Sequence, residues 1–228
     1  MNRSIPRRRD GQERRRELCD AAIEVLGQHG SRGLTHQQVD RCAGVAEGTT
    51  SYYYRTREAL LRGVGHRVAD IDRANLESLL SDIPGTSRPF ARLAQLVMMQ
   101  SDGQGLMLNK ARHELLLAST RDQELVEISR DFTIRVFALA ADAIAGLQLA
   151  SEDRDLRDKQ TTAVMTVIAG LFTRFISGDT SLGDPVEVEE LLESVVAGIA
   201  ITHGAATSVD RAAAAVVEAR SSRTRRRR

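Results

Sequence analysis

From Arg14 to Thr202 the apolar residues return at intervals of three and four, and no stretch alternates β-branched with polar residues in the manner of a strand. A chain patterned this way buries itself helix against helix, which makes the fold class all-α. The first stripe, Leu18, Ala21, Ala22, Val25 and Leu26, marks one face of a helix from Arg14 to His29 that Gly30 ends. Thr35 is a good cap for a second helix, with Val39, Cys42 and Ala43 on its buried side, and Gly44 breaks the pattern one residue before Val45. After a short stretch from Ala46 to Tyr54, Thr56-Arg57-Glu58 opens a longer helix toward Leu80. Pro84-Gly85-Thr86-Ser87 reads as a loop. Helical periodicity resumes near Pro89, from Leu106 to Ser119, from Asp122 to Leu149, from Glu152 to Ser177 and from Pro185 to Thr202, giving about nine helices.

With 228 residues, 42% of them hydrophobic and only 4 prolines, the chain can fill a sizeable core, as one compact domain of about 200 residues or as a small domain joined to a larger one. Its formal net charge of +1 conceals a segregation: residues 1–62 carry +4, residues 63–220 carry −8 and residues 221–228 carry +5. Basic ends on an acidic body orient an encounter with a polyanion, although such runs also serve as solvated faces. No apolar run is long enough to span a bilayer and none follows the basic N-terminus as a leader requires, so the expected compartment is the cytoplasm. Cys19 and Cys42 lack CxxC spacing and read as reduced packing residues. The five histidines show no HxxxH or HExxH spacing and the glycines form no phosphate loop, so no enzyme, metal or cofactor is expected.

The segment from Leu34 to Leu61 is the most informative. A helix, a turn containing glycine and a second short helix form the layout in which one helix braces on a nucleic-acid backbone while the next enters a major groove about 12 Å wide. Gly44 stands where that turn wants a left-handed backbone, and Val39 and Val45 pin the two helices together. Glu47, Thr49, Ser51, Tyr52 and Tyr53 crowd the short helix, and two adjacent tyrosines there cannot both be core. A tyrosine hydroxyl donates to a phosphate oxygen, a threonine offers a hydroxyl and a methyl to base edges, and Arg57 adds charge at the next helix start.

This segment resembles the N-terminal DNA-binding domain of the TetR family of transcriptional regulators. The resemblance rests on Leu34-Thr35, Val39, Ala43-Gly44-Val45, Gly48-Thr49, the aromatic run ending at Tyr54, and Thr56-Arg57-Glu58-Ala59-Leu60-Leu61. The spacing from Ala22 through Gly30 and Gly33 is similar to that family's first helix, so the resemblance covers residues 14–62. It implies DNA contacts from His36 and Gln37 in the second helix, from Glu47, Gly48, Thr49, Ser51, Tyr52 and Tyr53 in and around the third, and from Arg57 to a phosphate. Three positions depart from the family pattern: Thr50 replaces a buried leucine, Ser51 a tyrosine and Arg55 a proline. Arg7, Arg8 and Arg9 are either an arm that enters an adjacent minor groove or a plain basic leader.

The same resemblance implies a flexible arm over 1–12, a DNA-binding domain over 13–62 and an effector-binding and dimerisation domain over 63–205, while composition marks an Ala/Arg-rich tail over 206–228 that should be mobile. The tail is a second clamp on nucleic acid or a solubilising extension. Met99, Met107, His113, Phe132 and Met165 are the expected effector contacts. Val164, Ile168, Leu171 and Phe175 on one helix, with Leu192, Val195 and Ile199 on the next, are expected to pair with a second copy in a four-helix bundle. The implied function is a sequence-specific regulator, a homodimeric repressor on a palindromic operator released by a small apolar ligand, with no membrane partner. The alternative is a helical architectural DNA-binding protein without a sensor.

Overall fold

A computed structural model describes residues 6–82, 88–147, 153–179 and 181–204, with the side chains of residues 6–10 and 82 outside the description. The described residues form helices joined by short turns, with no strand among them: α1 Pro6–Gly33, α2 His36–Cys42, α3 Thr49–Tyr53, α4 Arg57–Asp82, α5 Ala91–Met98, α6 Gly103–Ser119, α7 Gln123–Gly146, α8 Arg154–Ile176, and α9 over 185–204. The all-α architecture is thus as the apolar periodicity dictates. The expected loop 84–87 and the tail 206–228 lie outside the described residues.

Local chemistry sets several boundaries. Thr35 caps α2 by accepting the Gln38 amide at 3.1 Å, Asp122 caps α7 through the Glu124 amide, and Asp153 caps α8 through the amides of Asp155 and Leu156. At Gly30 the backbone of α1 leaves helical geometry with φ 64° and ψ −174°, so the expected end of the helix is instead a kink. At its other end α1 begins at Pro6, so the expected flexible arm is helical over residues 6–12. Proline suits the first helical turn, where its missing N–H costs nothing, and the arginines that follow are good helix formers. The side chains of Arg7, Arg8 and Arg9 lie outside the description.

Two hydrophobic cores form. The first joins Leu18, Ala22 and Leu26 of α1 to Val39 of α2 and Leu60 and Val64 of α4, and also takes Leu108, Ala111 and Leu115 from α6 and Leu125 from α7. The second gathers Leu79, Phe90, Leu93, Val136, Ile144, Val164, Ile168 and Leu192 from α4, the start of α5, α7, α8 and α9. Helices α4 and α7 contribute buried residues to both cores, and α6 to the first. Three helices of this size close too little apolar surface by themselves, and α6 supplies the missing wall.

Candidate nucleic-acid interface and ligand cavity

The short helix α3 has five residues, too few to hold together alone, and Gly48 at its N-terminus offers no side-chain cap. Asp40 of α2 supplies one. Its carboxylate, 3% exposed, accepts the Gly48 amide at 2.8 Å, the Thr50 amide at 2.7 Å and the Thr50 hydroxyl at 2.5 Å. Burial opposes ionisation of Asp40, but the Thr50 hydroxyl and the two amides outweigh it and hold the carboxyl below its ordinary value. Gly44 and Gly48 take the left-handed conformation, with φ 64° and 88°, between the two helices.

This cap fixes what α3 presents. Tyr52 is 80% exposed, Ser51 and Glu47 are exposed, Tyr53 is half-buried and Tyr54 is buried. The Tyr53 ring stands edge-on to Tyr52 at 5.1 Å and lies under the Arg15 guanidinium, which also donates to the Tyr53 carbonyl at 3.0 Å. Gln37 is exposed and donates to Glu47 at 3.0 Å, so the two form one polar rim across the turn. Thr49 is half-buried and gives its hydroxyl proton to the Ala46 carbonyl, leaving the oxygen lone pairs and the methyl.

Two expected contacts are already engaged elsewhere. His36 is half-buried with Nε2 2.7 Å from the Tyr54 carbonyl, so that nitrogen donates and the ring braces the end of α3. Arg57 donates to both the carbonyl and the hydroxyl of Ser31 at 2.6 Å, fastening the start of α4 to α1 while the side chain stays exposed. Asp40 and Arg15 escaped the sequence reading. The available signal was that Thr50 breaks the apolar pattern, which calls for a polar partner under it.

Residues 18–64 match the family described as bacterial regulatory proteins, tetR family. The chain belongs to the TetR family. The HTH-type transcriptional regulator BetI of Brucella suis is 27% identical over 186 residues, 81% of this chain and 90% of that protein. A transcriptional regulator from Saccharomonospora viridis, solved with choline, has a TM-score of 0.65 at 18% identity, over 81% of this chain and 96% of that one. The multidrug binding protein EbrR, solved with malachite green, has a TM-score of 0.57 at 22% identity, over 80% of this chain and 98% of that one. As a TetR-family DNA-binding regulator the chain is not an enzyme.

Beneath the DNA-binding end of this TetR-family chain, a cavity of about 320 Å³ opens among α4, α6, α7 and α8. His113, Phe132 and Met165 line it, with Phe172, Leu116, Asp72 and Arg112. Met99 and Met107 do not. Met107 packs beneath Gly27 of α1, and Met99 ends α5 with its carbonyl against Gly105 of α6, so both residues build corners instead.

The expected dimer contacts divide sharply. Val164, Ile168, Leu171, Phe175 and Leu192 are buried within the single chain, in the second core, and are unavailable to a partner. Apolar spacing marks the inward face of a helix without saying whose core it enters. Val195 and Ile199 are half-buried. The outward faces carry Thr162, Thr166, Gly170 and Thr173 on α8 and Ser194, Gly198 and Ile201 on α9, the last 73% exposed. The three threonine hydroxyls donate to carbonyls one turn back, which leaves a smooth face. Cys42, expected to pack, is exposed, whereas Cys19 is buried 3.1 Å from the Tyr54 hydroxyl. Among the described residues no helix is long and apolar enough to cross a membrane.

Proposed function

We propose that this TetR-family regulator is a repressor that grips a palindromic operator as a homodimer and lets go when a small, largely apolar molecule fills the α4–α6–α7–α8 cavity. In this reading residues 13–62 carry the reading head and residues 63–205 the sensor and dimer platform. Gln37, Thr49, Ser51, Tyr52 and Tyr53 face the duplex, with Gly48 and Glu47 at its edge, His36 as a brace and Arg57 near a phosphate.

The observation that carries the coupling is that α4 and α6 belong to both ends. Gly65, Val68, Ala69 and Asp72 of α4 line the cavity, and α4 begins directly after the reading helix. Arg112, His113 and Leu115 of α6 line it too, while Leu108, Ala111 and Leu115 close the core of the head. A ligand that displaces either helix therefore shifts the head, and a 100-fold loss of operator affinity asks for a coupling of about 2.7 kcal/mol. Choline in the Saccharomonospora viridis protein and malachite green in EbrR support a small-molecule role for such a body.

The second copy packs on the outward faces of α8 and α9, around Thr166, Gly170, Ser194 and Gly198, which places two reading heads on one face of a duplex. Selection of bound duplexes from a random pool tests the reading. The expected product is an inverted repeat bound by two chains, with affinity reduced by a cavity ligand. Equal affinity for scrambled duplexes removes the operator, and equal affinity with and without saturating ligand removes the sensor.

A further inference from the structure

Among the residues that line the cavity, three carry ionisable side chains: Asp72, Arg112 and His113. Asp72 and Arg112 are paired, with Nη2 on Oδ1 at 2.6 Å and Nε on Oδ2 at 3.3 Å, while Nη1 reaches the Gln100 side-chain oxygen at 3.3 Å. The pair is not symmetrical towards its surroundings. The Arg112 side chain is 22% exposed and that of Asp72 only 5%, so the positive end is the accessible one. The guanidinium also lies over the Phe172 ring at 5.8 Å, another residue of the cavity wall.

His113, the next residue on α6, adds to this. Its Nδ1 is 3.0 Å from the Asn109 carbonyl, so Nδ1 carries a proton. Its Nε2 is 3.3 Å from the Thr173 hydroxyl, whose own proton goes to the Ala169 carbonyl at 3.0 Å. The remaining wall is mostly apolar, with Phe132, Met165 and Leu115 among its side chains.

Resting on the reading of this cavity as the effector site, we propose that the effector is an amphipathic monoanion, a lipophilic carboxylic acid whose carboxylate bonds Arg112 beside His113 and whose body lies against Phe132 and Met165. An arginine with donors to spare accepts a carboxylate without breaking its existing bonds. An organic cation finds one carboxylate in the wall, Asp72, and that is held by Arg112. To use it the cation must drive the guanidinium off and leave that half-buried charge without its carboxylate. The choline and malachite green that occupy the structural neighbours are therefore the wrong class for this chain.

Three probes with one tail decide the matter: decanoate, decyltrimethylammonium and decanol, measured by calorimetry on the full chain and by release of the selected operator duplex. Decanoate is expected to bind at least tenfold more tightly than the other two (about 1.4 kcal/mol). The double variant Asp72→Asn/Arg112→Gln, which keeps a hydrogen-bonding pair without charge, is expected to lose that preference yet still bind decanol. Preference for the ammonium or the alcohol, or an unchanged preference in the double variant, overturns the ligand class while leaving the cavity a sensor. Absence of binding by all three overturns the effector reading itself.

Discussion

Asp40 and Thr50 hold α3 between them: one carboxylate caps the helix, and one hydroxyl bonds that carboxylate where the family pattern has a leucine. Asp40→Ala orphans two amides and a buried hydroxyl, so a loss of about 2–3 kcal/mol is expected. Thermal unfolding will read the loss, and Asp40→Ala/Thr50→Leu is expected to recover only the hydroxyl's share of it, since both amides stay uncapped. The pH dependence has a definite sign. Because Asp40 is held below its ordinary value, its contribution is complete above about pH 4 and fades as pH falls through the lowered value. In Asp40→Asn melts that acid-side decline is expected to be shallower than in the parent chain. Tyr52 makes the opposite case, since its exposed hydroxyl supports nothing inside the head. Tyr52→Phe should weaken operator binding by about 1 kcal/mol with an unchanged melting temperature, and a lower melting temperature at unchanged affinity argues against the assigned role.

Helix by helix, the junctions matter more than the spans. At the corner between α5 and α6, a Cβ on Gly105 would lie 1.7 Å from the Met99 carbonyl oxygen, a backbone atom with no freedom to yield. Gly105→Ala must therefore part the two helices and is expected to cost about 2–3 kcal/mol, visible as an earlier thermal transition. The pairing of Arg62 with Asp122 at 2.8 Å and Glu124 at 2.7 Å ties α4 to the start of α7. The cap at Thr35 was legible because a capping side chain acts within four residues of itself. The cap on α3 was not, since it comes from another helix ten residues earlier.

Across the whole molecule, the face proposed for a second copy and the face that meets the core lie on the same two helices. Leu171→Ala should destabilise the chain by about 3 kcal/mol without changing its oligomeric state in light scattering. Gly198→Arg should do the reverse, splitting the dimer while each chain stays folded, because Gly198 is exposed and no atom lies within 4 Å of a Cβ placed there. A dimer that survives Gly198→Arg must use some other surface.

The apolar periodicity alone determined that this chain is a set of packed helices, and the run from Leu34 to Leu61 determined what kind of head it carries. Both are local properties, written within a turn or two of the residues that express them. Which of Tyr52, Tyr53 and Tyr54 is wet, that Met107 lies under α1 rather than in the cavity, and that Val164 and Leu171 face inward were decided only by tertiary packing. A helical stripe records that a face is buried, and its partner is fixed by contacts between segments far apart in the chain.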